Sequence, residues 1–242
     1  MKIAVVTGAS SGIGKAIAIH LVKAGYEVHG TYNSSKTEAE KLNKDHGIIF
    51  HKVDLSKRAN TLALAKELEN LKIYALVNDA GIWEADNIDS LDFDNWDKTL
   101  EINLTVPVVL SIALSKSIEK GGSIVNISST DGMIGSYEGL SYSASKAGLI
   151  NITKSLGNLL GPKGIRVNSI SPGWIDTAMV TDAPAEASKE MTPLGRNGSP
   201  EEIASVVEFL VSDKSSYING ENIIVDGGLI NTDYSLKVES EA

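Results

Sequence analysis

The chain has no cysteine among its 242 residues, which excludes disulfide bonds, thiolate catalysis and cysteine-based metal sites. It also lacks an excess of basic residues: 22 Lys and Arg stand against 31 Asp and Glu, so nothing indicates a surface for nucleic acid or an anionic membrane. The histidines have no metal-ligand spacing, and we expect structural roles for His20, His29, His46 and His51 and no metal site. No apolar run approaches the ~18 residues of a membrane span, and the N-terminal apolar run is too short for a signal peptide. We therefore expect a cytoplasmic protein.

Apolar runs of strand length alternate with helical patterns along the whole chain. We predict strands at residues 3–6, 27–31, 48–53, 74–77, 122–127, 165–170 and 222–225, and helices ending near 24 and covering 57–71, 91–118, 142–160 and 200–211. This alternation predicts a single doubly wound α/β domain with a parallel sheet. We assign residues 1–230 to this domain and residues 231–242 to a tail that is disordered or reaches a neighbouring subunit.

A glycine-rich turn follows the first predicted strand and opens the first helix, with Gly8, Gly12 and Gly14 at the close-approach positions. Glycines let the backbone turn sharply, and the N–H groups at the start of a helix can bind a pyrophosphate. The alternative is a structural turn without a ligand. The strand before it and the helix after it favour dinucleotide binding.

The end of the second predicted strand indicates which dinucleotide is bound. An acidic residue there would bind the ribose 2′-hydroxyl of NAD, but this chain has no carboxylate between Thr31 and Lys36. We therefore favour NADP(H) over NAD(H), with Lys36 either near a 2′-phosphate or simply in solvent. Asp54, after the third strand, either accepts from the adenine amino group or caps the next helix.

Tyr142 and Lys146 are four residues apart on one predicted helix, so they share a face. A nearby cation favours the phenolate, and we expect Lys146 to lower the pKa of Tyr142 toward neutrality. The alternative is an ordinary tyrosine on an amphipathic helix. Asn103 is a poor residue for a helix interior, so it is either exposed or placed to bond something specific.

These motifs together resemble the classical short-chain dehydrogenases/reductases, and most of all the 3-oxoacyl-(acyl carrier protein) reductase type. The resemblance rests on the Thr7 to Gly14 motif, on Ser129 thirteen residues before Tyr142, and on Lys146 four residues after it. It implies a Rossmann fold with a seven-stranded sheet, an NAD(P)(H)-dependent oxidoreductase acting on a carbonyl or secondary alcohol, and a homotetramer or homodimer. The rival is a relative that senses nucleotide or acts as a scaffold without turnover.

The resemblance also implies a role for each matching residue. Tyr142 would be the acid/base, Ser129 would donate to the carbonyl oxygen, Lys146 would also bond the nicotinamide ribose, and Asn103 would anchor a water. Ser128 is the alternative serine, but strand alternation points it the other way. The implied cofactor contacts, beyond Tyr142 and Lys146, are Gly8, Ser10, Ser11, Gly12, Ile13, Gly14, Tyr32, Asn33, Ser34, Asp54, Leu55, Asn78, Ala80, Gly81, Pro172, Gly173, Ile175 and Thr177. Substrate would touch the surroundings of Trp83, Met133, Ser136, Tyr137, Trp174 and Met179, unless these are plain core.

Two departures from the family pattern stand out. Asp79 replaces the second asparagine of the Asn-Asn-Ala-Gly loop, which removes two amide donors and adds a negative charge. Ser11 stands where NADP-preferring relatives often have a basic residue. We also expect residues 174–199 to form a lid over the site, and Lys120 and Lys163 to flank the site and meet an acidic acyl carrier, although a small free carbonyl substrate is equally compatible.

Overall fold

The structure is a computed structural model that describes residues 1–178, 188 and 190–233. Its centre is a seven-stranded sheet in the order β3-β2-β1-β4-β5-β6-β7, with every neighbouring pair parallel. The strands are Ile3–Val6 (β1), Glu27–Tyr32 (β2), Ile49–Lys52 (β3), Ile73–Asn78 (β4), Ile118–Ile127 (β5), Arg166–Pro172 (β6) and Asn222–Val225 (β7). The first and last strands have the predicted bounds, and the other five differ from them by one to four residues at an end.

Helices cover both faces of this sheet. The α-helices that lie wholly within the described residues are Gly12–Lys23 (α1), Lys36–His46 (α2), Arg58–Leu68 (α3), Phe93–Leu100 (α4), Val106–Ala113 (α5), Leu140–Leu160 (α6) and Pro200–Val211 (α7). The predicted helix 91–118 is interrupted, because Glu101–Thr105 is a π-helical turn between α4 and α5. Helix α7 has the predicted bounds, and its capping box of Ser199 and Glu202 explains why it starts where it does.

Two apolar cores lie on opposite faces of the sheet. Strand β1 supplies both, because Ala4 and Val6 belong to the core under α1 and α7, whereas Val5 belongs to the core under α3, α5 and α6. A sheet buried on both faces needs nearly continuous apolar strands, which is the pattern seen in the sequence. The predicted fold class, a doubly wound parallel α/β sheet, is confirmed.

The strand order reverses between β1 and β4, and this switch point lies where the carboxyl ends of the strands meet. Thr7 joins the two loops there, since its Oγ1 accepts from the backbone N–H groups of Asp79 and Ala80 at 3.0 Å each. Ligands of such sheets bind in the crevice at this position. The fold therefore brings the glycine-rich turn and the loop after β4 to one ligand crevice.

The helical segment Phe93–Lys116 is long and apolar enough, by length and composition only, to cross a membrane. The sequence-based statement that no apolar run approaches this length therefore needs correction. Its apolar residues Val106, Leu110 and Leu114 are buried in the core under α3 and α6. Packing inside the protein thus accounts for the apolar character of this segment.

Two histidines form a hydrogen-bonded chain at the β2–β3 edge of the sheet. Nδ1 of His29 lies 3.0 Å from Nε2 of His51, and the rings are nearly parallel, with 17° between their planes. The outer nitrogens meet carboxylates, Glu27 at 3.2 Å from His29 and Glu67 at 2.7 Å from His51. Within the described residues no group of three or more His, Asp or Glu side chains could hold a metal ion.

Lys120 and Lys163 do not flank the predicted site within this chain. Lys120 lies near the start of β5 and Lys163 just before β6, and the backbone joins them where Gly121 N–H donates to Gly164 O at 2.8 Å. This is the amino-terminal edge of a parallel sheet, whereas Ser129 follows the carboxyl end of β5. The expectation was wrong because Lys120 lies near the start of β5 and Lys163 precedes β6.

Two other expectations reach outside the described residues. Residues 179–187 and 189 of the predicted lid, which include Met179, lie there, as does the tail beyond 233. The described parts of the lid segment are hydrogen-bonded to each other, because Asn197 donates to Asp176 at 2.8 Å and accepts from Ser188 at 2.9 Å.

Candidate active site

Helix α6 carries Tyr142 and Lys146 toward the carboxyl edge of the sheet. Asp86, from the loop after β4, accepts from the backbone N–H of Ser141 at 2.8 Å and from its hydroxyl, and so fixes the start of this helix. Lys146 is 4% exposed, and its Nζ donates to the backbone carbonyl of Ile127 at 2.8 Å. The same Nζ lies 5.5 Å from the centroid of the Tyr142 ring. The ammonium is therefore held at the end of β5, beside the tyrosine.

The two serines after β5 point in opposite directions. Ser129 is hydrogen-bonded to the Tyr142 hydroxyl, and its Oγ also accepts from the backbone N–H of Asp131 at 3.1 Å. Ser128 instead donates to the backbone carbonyl of Lys146 at 2.9 Å, on the other side of the chain. Strand alternation thus brings Ser129, and not Ser128, to the tyrosine.

The pKa of Tyr142 departs from the expectation. It is raised to about 12, mainly by burial; the hydrogen bond from Ser129 acts in the other direction, and the charges of Asp131 and Asp79 add to the rise. Burial also lowers the pKa of Lys146 to about 8, although the charge of Asp79 acts in the other direction. The expectation of a lowered Tyr142 pKa was wrong, because loss of hydration on burial dominates the shift.

Asn103 is buried in the π-helical turn, and its side chain is hydrogen-bonded to Ile82 and Ser145. Of the two alternatives for this residue, exposure is therefore wrong and a specific hydrogen-bonding role is confirmed. Its Oδ1 accepts from Ile82 N–H at 2.9 Å, and its Nδ2 donates to Ile82 O at 2.9 Å and to Ser145 Oγ at 3.2 Å. A Cβ added at Gly81 would lie 3.4 Å from Asn103 Oδ1 and 3.5 Å from Lys146 Nζ. Asn103 therefore holds the loop after β4 against α6, and π-helical turns are frequent at functional positions.

The glycine-rich turn has the geometry of an anion-binding loop. Gly8 and Gly12 have φ values of 70° and 51°, which favour glycine, and the Gly8 N–H donates to Thr31 Oγ1 at 3.1 Å. A Cβ at Gly14 would lie 2.6 Å from the carbonyl oxygen of Gly8, so the turn closes tightly on itself. The N–H groups of Gly12 and Ile13, at the start of α1, have no intrahelical acceptor and can bind an anion.

Asp79 lies beneath this turn. Its carboxylate accepts from the backbone N–H of Gly14, and Oδ2 would lie 2.4 Å from a Cβ at Gly14 and 3.3 Å from one at Gly8. Burial raises the pKa of Asp79 to about 7, although the charge of Lys146 and the bond from Gly14 act in the other direction. The Asp79 carboxylate thus accepts from the Gly14 N–H, one of the N–H groups at the start of α1 that could otherwise bind a ligand.

At the adenosine end of the crevice, Asp54 does not cap helix α3. It accepts from the backbone N–H of Ser56 at 3.1 Å and from the Ser56 hydroxyl at 2.6 Å, and Lys57 occupies the N-cap. The cap alternative is therefore wrong. After β2, Asn33 and Ser34 are exposed together with Ser35 and Lys36.

The side chains implied for the adenosine and ribose already make different contacts within the protein. Lys36 Nζ lies 3.5 Å from Glu40, which satisfies part of its charge. Tyr32 packs edge-on against Phe50 at 6.0 Å between ring centroids. Asn78 is buried, and its Nδ2 donates to Asn126 Oδ1 at 2.8 Å, whereas its Oδ1 has no hydrogen-bond partner among the described residues.

The segment after β6 reaches the glycine-rich turn. A Cβ at Gly12 would lie 3.6 Å from Thr177 Cγ2, and Gly173 N–H donates to Val225 O at 3.0 Å. Ile175 is paired with Gly198 in an isolated bridge, which fixes the path between Gly173 and Thr177. The structure therefore brings the segment predicted for the carboxamide next to the segment predicted for the pyrophosphate.

Several of the side chains predicted to contact substrate are exposed apolar groups. Of the residues predicted to contact substrate, Trp83, Met133 and Trp174 are 40%, 47% and 37% exposed, and Tyr137 is fully exposed. Trp83 and Ser136 meet at Gly139, where an added Cβ would lie 3.2 Å from Trp83 Nε1 and 3.0 Å from Ser136 Oγ. These four aromatic and thioether side chains are thus not core.

Sequence reasoning missed two acidic residues of this site. Asp131 is near Tyr142, and burial raises its pKa. Asp86 holds the start of α6 through Ser141. The position of Asp131 two residues after Ser129 was a usable signal, whereas nothing in the sequence pointed to Asp86.

Comparisons with known proteins cover nearly the whole chain. A family model described as enoyl-(acyl carrier protein) reductase matches residues 8–230. The 3-oxoacyl-[acyl-carrier-protein] reductase FabG of Aquifex aeolicus is 41% identical over 241 residues, covering 94% of this chain and 97% of the relative. The acetoacetyl-CoA reductase of Shinella zoogloeoides is 38% identical over 235 residues, covering 94% and 98%. A short chain dehydrogenase from Burkholderia cenocepacia in complex with NADP has a TM-score of 0.90 and 33% identity, covering 95% and 98%.

Proposed function

The chain belongs to the short-chain dehydrogenase/reductase family of oxidoreductases, and on this premise we propose that it reduces the 3-oxo group of an acyl thioester with NADPH. The observation that carries the proposal is the hydrogen bond between Ser129 and Tyr142 at the carboxyl edge of the sheet, with Lys146 beside the tyrosine ring. A carbonyl oxygen placed between the two hydroxyls would receive hydrogen bonds from both.

Tyr142 would supply the proton for the reduced oxygen. Because its pKa is raised to about 12, the phenol is protonated at neutral pH, which is the form that a general acid needs. Ser129 would donate to the same oxygen as negative charge develops there. Lys146, held by Ile127, would favour the charge that remains on the tyrosine after proton transfer. This protonation state supports reduction as the direction of the reaction.

The residues of the crevice fit a dinucleotide. Bound NADPH would supply the hydride. The N–H groups of Gly12 and Ile13 would hold the pyrophosphate, and Thr177 is already beside Gly12. The choice of NADPH over NADH is supported by the lack of a carboxylate between Thr31 and Lys36 and by the NADP in the similar Burkholderia structure.

The acyl thioester as substrate class is supported by the two relatives, one named for an acyl-carrier-protein substrate and one for acetoacetyl-CoA. Trp83, Met133 and Trp174 offer an exposed apolar surface beside Tyr142 that an acyl chain could cover. Lys120 and Lys163 give no support to docking of an acidic carrier at this edge of the chain. The proposal therefore names the thioester and not the carrier.

The test is the loss of NADPH absorbance with purified protein and acetoacetyl-CoA, run beside NADH and beside a diketone and a keto ester as carbonyls without a thioester. We expect the fastest loss with NADPH and the thioester. A faster reaction of the diketone would contradict the substrate class, and a faster reaction with NADH would contradict the cofactor. Silence with all carbonyls and with alcohols in the reverse direction would favour the non-catalytic alternative, which no relative supports.

We also infer a homo-oligomer that acts in the cytoplasm. Three large apolar side chains on α4, α5 and α6 are exposed in a single chain, namely Phe93 at 69%, Ile112 at 59% and Leu159 at 69%. Such surfaces are typical of subunit interfaces. Light scattering on the purified protein distinguishes a monomer from a dimer or tetramer.

A further inference from the structure

Asp79 is placed between the two charged parts of the proposed site. On one side its carboxylate accepts from Gly14 N–H at the start of α1, and on the other side it interacts with the charge of Lys146. The loop that carries it is fixed, because Thr7 Oγ1 accepts from Asp79 N–H at 3.0 Å. The backbone of Asp79 is therefore held beside the glycine-rich turn, and its Oδ2 lies 2.4 Å from the position of a Cβ at Gly14.

The Asp79 carboxylate at the start of α1 disfavours a second anion, such as a pyrophosphate, at the same place. The N–H groups and the helix dipole at this position favour negative charge, and the Asp79 carboxylate already uses the Gly14 N–H. A pyrophosphate at Gly12 and Ile13 would bring further negative charge to the same buried turn. Two like charges close together disfavour each other's ionised form.

We propose that Asp79 couples cofactor binding to protonation: the dinucleotide binds best when Asp79 is the neutral acid, and binding to the ionised form takes up one proton at this carboxyl. The proposal rests on the proposed function, because it requires a nicotinamide dinucleotide in the crevice. The proton comes from solvent and goes to a carboxylate oxygen, with no other bond made or broken. Asparagine, the residue expected in this loop by resemblance, is the uncharged counterpart of that acid.

Other titratable groups near Asp79 could produce the same pH dependence and must be separated from it. Lys146 of α6 is the facing cation, and Tyr142 on the same helix is sensitive to the Asp79 charge. Helix α1 contributes the Gly14 N–H, and β1 contributes the neutral Thr7 hydroxyl. A phosphate monoester on the ligand itself titrates near pH ~6, so the measurements belong above neutrality.

The apo carboxyl has a pKa of about 7, and a neighbouring anion raises it further. Affinity for NADP⁺ should therefore be constant below neutrality and fall above it by at most about tenfold per pH unit, until the pKa of the complex is reached. Asp79→Asn should keep the higher affinity and lose most of this decline.

The experiment observes the carboxyl directly, by ¹³C NMR of protein labelled at the aspartate side-chain carboxyl carbon. The spectra are recorded from pH 5 to 9 without and with saturating NADP⁺. The resonance that is missing in Asp79→Asn should titrate near neutrality in the free protein and at higher pH in the complex. Calorimetry of NADP⁺ binding in buffers of different ionisation enthalpy should show proton uptake by wild type near pH 8, and less by Asp79→Asn.

The control is Asp131→Asn, which removes the other described aspartate whose pKa is raised by burial. The Asp79 transition should persist in this variant. If Asp79→Asn fails to fold, Asp131→Asn assigns the resonance by elimination, because a transition that persists in it cannot be that of Asp131. Titration near the ordinary value of about 4, a midpoint unmoved by NADP⁺, or undiminished proton uptake in Asp79→Asn would each overturn the inference. Such results with normal NADP⁺ binding leave the proposed function standing, whereas absence of any NADP⁺ or NAD⁺ binding overturns both.

Discussion

The Nζ atom of Lys146 donates a hydrogen bond of 2.8 Å to the backbone carbonyl of Ile127, two residues before Ser129. One bond thus ties the buried cation to the strand that delivers the serine. Burial lowers the pKa of Lys146 to about 8, so the cation is present at neutrality and lost as the pH rises through 8.

Replacing this lysine should greatly reduce activity. We expect Lys146→Met to lower kcat/KM by about 100-fold or more, because the charge that favours the phenolate is removed. The free energy of unfolding should also fall, by about 1–3 kcal/mol, because the Ile127 carbonyl loses its hydrogen bond and Asp79 loses the cation that faces it. The matched control is Lys154→Met, an exposed lysine on the same helix, which should keep wild-type kinetics. Equal kinetics for the two variants would contradict this role of Lys146.

Tyr142→Phe tests the proton donor. Removal of the hydroxyl should lower kcat by roughly 10²- to 10⁴-fold while the dissociation constant for NADPH changes little, because the ring is kept and only the acid is lost. Stopped-flow absorbance and fluorescence titration measure the two quantities. Tyr217→Phe, a fully exposed tyrosine, is the control and should behave as wild type. Parallel losses of binding and turnover would point to a structural role for Tyr142.

Asp79 should make the stability of the free protein depend on pH. Its folded pKa is raised to about 7 from 3.8, so the native state holds a proton that the unfolded chain has released. The stabilisation is complete below pH ~4 and is lost as the pH rises through 7. Relative to wild type, Asp79→Asn should therefore gain stability between pH 4 and 8, on the order of 1–3 kcal/mol. Urea unfolding at both pH values measures this, and exposed Asp89→Asn should show no such trend.

Asn103→Ala should loosen the loop after β4. The side chain makes three hydrogen bonds, two of them to Ile82, and their loss leaves buried backbone groups unpaired. We expect a loss of about 1–3 kcal/mol in the free energy of unfolding. The KM for NADPH should also rise, because Gly81 is no longer held beside Lys146. Unchanged stability would show that water or another residue replaces the amide.

The His29–His51 chain should contribute to the stability of the β2–β3 edge. Three contacts join Glu27, His29, His51 and Glu67. We expect His51→Ala to lower the free energy of unfolding by about 1–3 kcal/mol, because it removes two of these three contacts. His46→Ala is the control, and an equal effect of both variants would argue against the chain.

The sequence was sufficient for the architecture because local patterns and the fold agree. Apolar runs with glycine turns predicted seven strands, and the Ser-Pro-Glu-Glu start of α7 and the strand Asn222–Val225 were placed at their observed bounds. The meeting of Ser129 and Tyr142 followed from strand alternation and from the rule that strand ends share one edge.

What sequence could not give depends on burial and on contacts between distant residues. The π-helical turn at Asn103 is supported by bonds to Ile82, which lies 21 positions away. The direction of the Tyr142 pKa shift depends on loss of hydration, which spacing alone does not reveal. Lys120 and Lys163 lie at the amino-terminal edge of the sheet, because they stand near the starts of β5 and β6 and not after their ends.

A line of polar side chains crosses the core behind the proposed site. Asn78 donates to Asn126 at 2.8 Å, Asn126 to Thr153 at 2.9 Å, and Thr153 to the carbonyl of Leu149 at 2.8 Å. Asn78 and Asn126 are opposite each other in β4 and β5. A slip of one residue between these strands would turn one amide to the other face and leave buried polar groups without partners. During folding, this line selects one alignment of the central strands, and the position of Ser129 relative to the loop after β4 is set by that choice.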